Sequence, residues 1–167
     1  MKKIALLLSV IFCLFFKVYA QPNTKPALCF NTGGKFKILQ FTDIHFQYNS
    51  YRSDSALMLM KAVVEDEKPD LVVLTGDVVC SENTKKAWLA LAKPFIDAKV
   101  PWALTLGNHD IEYELTGDKI IKTISGLPYC ITKNGPEEIP GSGNYIAKVY
   151  DSKTENTEAI LYFFDSH

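Results

Sequence analysis

Three short apolar stretches, separated by segments with helical spacing, set the pattern of this chain. Between Phe36 and His45, one set of alternate positions is Phe36, Ile38, Gln40 and Thr42, and the other is Lys37, Leu39, Phe41 and Asp43. Both sets are largely apolar, which predicts a strand covered on two faces, as in a sheet flanked by helices. Leu71–Asp77 and Pro101–Asp110 read as two more buried strands. From Ser53 to Glu67, Ala56, Leu57, Met60, Val63 and Val64 recur at helical spacing, with Ser53 or Asp54 as the cap. Met58 and Met60 read as core residues.

A second helix is predicted over Asn83–Ala98, with Trp88, Leu91, Ala92 and Phe95 on one stripe and both Trp88 and Trp102 packed between helix and sheet. Pro94 lies inside it and should kink or split it. A third helix is expected around Tyr113–Ile124. The order β-α-β-α-β with right-handed crossovers gives a parallel sheet, with helices expected on both faces. Beyond Gly126, prolines and glycines mark a long irregular connection. Asn144–Tyr150 and Ala159–Phe164 then bracket a polar turn and read as an antiparallel hairpin.

The first 35 residues differ in character. Met1–Ala20 has a basic start, an apolar run over Ile4–Phe16 and a Val-Tyr-Ala end, the pattern of a cleaved secretory signal. The run is short for a bilayer span, which needs ~20 residues, so no stable membrane span is expected once it is removed. Secreted or periplasmic location follows. Residues 21–35, with Pro22, Pro26, Gly33 and Gly34, read as an exposed lead-in, and one domain is expected over residues 36–167.

The chain's net charge is −1; three of its 18 basic residues lie in the leader, leaving 15 against 19 acidic, or −4. Nothing basic enough to signal nucleic acid remains. Cleavage would leave Cys29, Cys80 and Cys130, so at most one disulfide forms, and three buried or unpaired thiols are at least as good a reading.

The chemistry lies at the strand ends. Asp43 and His45 close the first strand, Gly76-Asp77 the second, and Gly107-Asn108-His109-Asp110 the third. In an extended segment, residues i and i+2 point the same way, so Asp43 and His45 are expected to share one ion. Asp77 has two oxygens suited to a bridge, and Asn108 offers a neutral amide oxygen to a second ion. A two-metal hydrolytic site needs this mixture around ions ~3.5–4 Å apart. His109 is left free to give a proton to a leaving group, and Asp110 is placed to orient or polarise it.

In order and spacing, these three motifs resemble those of the calcineurin-like metallophosphoesterases, over about Phe36 to His167, and the Leu161–His167 ending resembles the branch related to purple acid phosphatases. The resemblance implies an α/β/β/α sandwich, incomplete here and truncated at the C-terminal end, with the hairpin in the second sheet. It also implies two divalent or mixed-valence ions of manganese, iron or zinc. Asp43, His45, Asp77 and Asn108 would be ligands, His109 catalytic, and a phosphate ester the substrate.

Two departures stand out. The purple enzymes carry an iron-ligating tyrosine where this chain has Cys80, and the family's later histidine ligands are absent. His167, in Asp165-Ser166-His167, imitates the ligand spacing but reads as a polar residue at a sheet end. The alternative function is a non-catalytic scaffold or binding protein with the same fold.

Overall fold

The computed structural model describes residues 26–154 and 156–166. The signal segment, most of the lead-in and His167 lie outside the described residues. Among the described residues, six strands and three α-helices form two sheets and one helical layer. The first sheet is parallel, in the order β2 (Ile38–Phe41), β3 (Leu71–Thr75), β4 (Trp102–Thr105), joined by α1 (Tyr51–Glu67) and α2 (Thr84–Asp97). A 3-10 turn, Asn108–Ile111, and α3 (Gly117–Ile124) follow β4. The second sheet has the order β1 (Leu28–Cys29), β5 (Tyr145–Tyr150), β6 (Thr157–Phe163), with β5 and β6 antiparallel as the hairpin predicts.

The three helices lie on one face of the first sheet, not on both. Met60 and Val64 of α1, Trp88, Leu91 and Phe95 of α2, and Ile120, Ile121 and Ile124 of α3 share one core with Val72, Leu74, Trp102 and Leu104. The strand order explains this. Each crossover steps to the next strand in the same direction, and right-handed crossovers taken the same way return to the same face. The opposite face packs on the second sheet, where Leu71, Val73 and Ala103 meet Leu28, Tyr145, Val149 and Phe163. The layers are therefore α/β/β. Trp88 and Trp102 are fully buried between helices and sheet, as expected.

Four local expectations change. β1 replaces part of the exposed lead-in, with Leu28 buried and paired in parallel with Val149; a two-residue strand carries no periodicity to read. Pro94 does not split α2, which runs unbroken to Asp97. Met60 is buried but Met58 is 73% exposed, two residues away and hence on another face of the helix. Finally, β2 is an edge strand covered mainly on its helix side, by Leu39 and Phe41, while Ile38 is 44% exposed. Cys29 is exposed and Cys80 buried, and no disulfide joins the two.

β4 is the other edge, and its outer backbone groups are satisfied by the segment after α3. Trp102 N–H donates to the Tyr129 carbonyl and Ile131 N–H to the Trp102 carbonyl. Leu104 N–H donates to Thr132 Oγ1 at 3.0 Å, and the Tyr145 hydroxyl donates to the Leu104 carbonyl at 3.0 Å. Tyr145 thus fastens the second sheet to the first, its ring stacked on Phe163 at 4.5 Å between centroids. Burial holds its phenol well above the usual range, so it stays a neutral donor. Tyr145→Phe keeps the stack and leaves the Leu104 carbonyl without this buried donor. It should cost about 1–3 kcal/mol, read as a lower urea midpoint with an unchanged denaturant slope.

Candidate metal centre

All three expected motifs meet at the C-terminal edge of the first sheet, where the strands end and the chain turns. Past Phe41 the backbone continues beside the segment after β3: Asp43 N–H donates to the Gly76 carbonyl, His45 N–H to Asp77 and Phe46 N–H to Val78. Asp43 and His45 are not extended, however. Their φ values are 52° and 48°, and that of Asp77 is 50°. The two side chains converge because both residues occupy the left-handed region, not because strand alternation aligns them. Asp and His tolerate that region better than most residues, and such strain is typical of functional sites.

Gly76 and Gly107 let the two loops touch. A Cβ at Gly107 would sit 2.3 Å from both the Asp77 nitrogen and Asp77 Oδ1, and 2.9 Å from the Gly76 Cα. Only glycine fits there. With the loops in contact, His109 N–H donates to Asp77 Oδ1 at 3.0 Å, which orients the carboxylate expected to bridge two ions.

Asp110 acts on His109 through its charge, and its hydrogen bonds go elsewhere. Its carboxylate is fully buried and accepts three backbone hydrogen bonds, from Val78 (2.9 Å), Val79 (2.8 Å) and Gly107 (2.8 Å). It ties the loop after β3 to the loop after β4. Burial pushes its pKa up, and the three N–H groups pull it back only in part. The partner of His109 is instead Glu112, whose Oε2 lies 2.8 Å from His109 Nδ1. That contact raises the imidazole pKa, with burial opposing it and the negative charges of Glu112, Asp77 and Asp110 adding to it. Sequence reading passed over Glu112, although its i+3 spacing on a 3-10 turn was the available signal.

The ligand atoms of Asp43, His45 and Asp77 lie within 4.8 Å of one another. Two atoms bound to one zinc-sized ion at ~2.0–2.2 Å can be no more than about 4.4 Å apart, so the three side chains stand near one another but must draw closer to share an ion. The Thr42 hydroxyl lies 2.5 Å from Asp43 Oδ2 and steadies that carboxylate. Asn108 is exposed beside Asp77, in a cleft of about 480 Å³ that Asp43, Gly107, Phe164 and Ser166 also line. His45 and His109 face each other with ring centroids 5.2 Å apart. Cys80 is buried behind His45, with Sγ 3.1 Å from Nδ1. Burial first, then Asp110, Asp77 and Glu112, push its thiol up to about 11, so it stays protonated near neutrality.

A family model described as calcineurin-like phosphoesterase matches residues 36–161. The chain belongs to the calcineurin-like phosphoesterases. Among curated relatives, an Arabidopsis thaliana protein described as probable inactive purple acid phosphatase 29 is 34% identical over 92% of this chain and 46% of its own length. The phosphatase DCR2 of Saccharomyces cerevisiae is 33% identical over 80% of this chain and 27% of its own. Another Arabidopsis thaliana relative, described as probable inactive purple acid phosphatase 28, is 30% identical over 90% and 46%. The chain thus spans less than half the length of these relatives. As in other calcineurin-like phosphoesterases, the centre fits metal: two carboxylates and an imidazole converge, with a neutral amide beside them.

The buried frame and the exposed ligands should respond differently to mutation. Asp110→Ala orphans three backbone donors, each costing about 1–3 kcal/mol if buried and unpaired, and should lower stability by several kcal/mol. Asn108→Ala, at an exposed side chain, should change it by less than about 0.5 kcal/mol. Urea denaturation of the two variants beside the parent chain measures the contrast, and equal losses would refute it.

Proposed function

We propose that this protein is a metal-dependent phosphoesterase hydrolysing a phosphate monoester or diester at a two-metal site. The observation that carries the reading is the convergence of Asp43, His45 and Asp77, with Asn108 and His109 on the adjoining loop. Asp43 and His45 would hold one ion, Asp77 would bridge and Asn108 would serve the second; manganese, iron and zinc all suit such donors. Bound ions would supply the positive charge that favours in-line displacement at phosphorus.

The chain's own residues do the rest. His109, held toward its protonated form by Glu112, gives a proton to the departing oxygen. The centre is open at a sheet edge, so a phosphate ester reaches it from solvent. Met1–Ala20 supports export of the protein. No helix among the described residues is long and apolar enough to cross a membrane. A second reading, a non-catalytic protein of the same fold, is favoured by the relatives described as probable inactive phosphatases. Keeping all five site residues speaks for catalysis.

Asp77→Asn should lose metal and turnover together, because a bridge serves both ions. His109→Ala should keep metal and lower turnover by about 10²–10⁴-fold, most for poor leaving groups. Metal analysis with a series of aryl phosphates checks both, and loss of metal in His109→Ala would overturn the assignment.

Among the described residues, Asp43, His45 and Asp77 are available to one ion, and only Asp77 and Asn108 to a second. These residues on their own should therefore bind a single ion, weakly, with little turnover. Titration with manganese, zinc and iron measures this; two tightly held ions with substantial turnover would mean that His167 or a second chain completes the centre.

A further inference from the structure

We propose that Glu112 is a positioning residue: by accepting the Nδ1 proton of His109, it fixes the imidazole's tautomer and leaves Nε2 as the nitrogen that handles the substrate's proton. The inference rests on the reading above that His109 serves the leaving oxygen. Neither the expected motif nor the resemblance assigns Glu112 any part.

The geometry comes from the turn. Residues 108–111 form a 3-10 helix with Glu112 as its C-terminal cap. In that helix, side chains at i and i+3 eclipse one another. His109 and Glu112 are so related, and Oε2 reaches Nδ1 at 2.8 Å. The backbone of His109 is fixed at the same time, by its N–H on Asp77 Oδ1 at 3.0 Å. The ring therefore has one end tied to the bridging carboxylate through the main chain and one nitrogen tied to Glu112.

Two other carboxylates near His109 are already engaged. Asp110 spends both oxygens on backbone donors, and Asp77 Oδ1 takes the His109 N–H. Glu112 is the acid that holds the ring. Which imidazole nitrogen carries the proton is set by the hydrogen bond the other makes. During transfer the Nε2–H bond breaks, an O–H bond forms on the leaving oxygen, and the electron pair stays on Nε2. The Nδ1–H remains with Glu112 throughout.

The pair is half-exposed on both sides, at 41% and 50%, and exposed ion pairs contribute little to folding. Glu112 can thus be changed without unfolding the chain. The test is nitrogen-15 NMR of the full metal-free chain, at a pH where His109 is neutral, using long-range proton–nitrogen correlations in the ring.

The parent chain should show the Nδ1–H tautomer. Glu112→Gln, whose amide oxygen still accepts, should retain it, and Glu112→Ala should lose it in favour of Nε2–H, with backbone amide shifts elsewhere unchanged. An Nε2–H tautomer in the parent chain, or a tautomer unchanged in Glu112→Ala, would overturn the proposal. Because neither metal nor turnover enters this readout, its failure is distinct from failure of the phosphoesterase reading.

Discussion

The centre depends on one buried carboxylate. Asp110 has no access to solvent, and it accepts N–H groups from Val78, Val79 and Gly107. A carboxylate taken out of water is costly unless its oxygens find donors, and backbone donors are available only if the two loops lie in one register. The requirement works in both directions: the loops satisfy the charge, and the charge selects the loop arrangement. Gly76 and Gly107 make the same register sterically possible. Asp77, Asn108 and His109, which lie on those loops, inherit their positions from it.

The wider fold delivers the loops to that point. A sequential parallel sheet puts all three strand ends along one edge, and same-handed crossovers send α1 and α2 to one face. The other face is then free to receive a second sheet, and Tyr145 fastens the two by hydrogen bonding to the edge strand at Leu104. Burial of Leu71, Val73 and Ala103 between the sheets stiffens the strands whose ends carry the ligands.

Much of this was legible in the sequence because the strands and helices carry strong periodicity. The stripe of Trp88, Leu91, Ala92 and Phe95 is fully buried, and the three strand-end motifs share one edge. What was not legible depended on geometry that residue types do not encode. A two-residue strand at Leu28–Cys29 has no pattern. The helices' single face follows from strand order rather than from any one helix. Adjacency in sequence pointed to Asp110 as the partner of His109, and Glu112 carried no expectation at all. On a tight 3-10 turn, the residue three positions on is the neighbour. The left-handed backbone at Asp43, His45 and Asp77 likewise has no composition signal.

The split between a buried frame and exposed ligands bears on how such a protein drifts over generations. The frame residues, Gly107 and Asp110, are guarded by folding itself, since changes there disturb contacts that the domain needs. Asp43, His45 and Asn108 stand in solvent at the sheet edge, so the fold scarcely registers the replacement of one of them. A lineage can therefore lose one of these side chains in a single step and still inherit an intact body with its loops in place. Selection for stability alone would preserve the architecture and leave the ligands to wander.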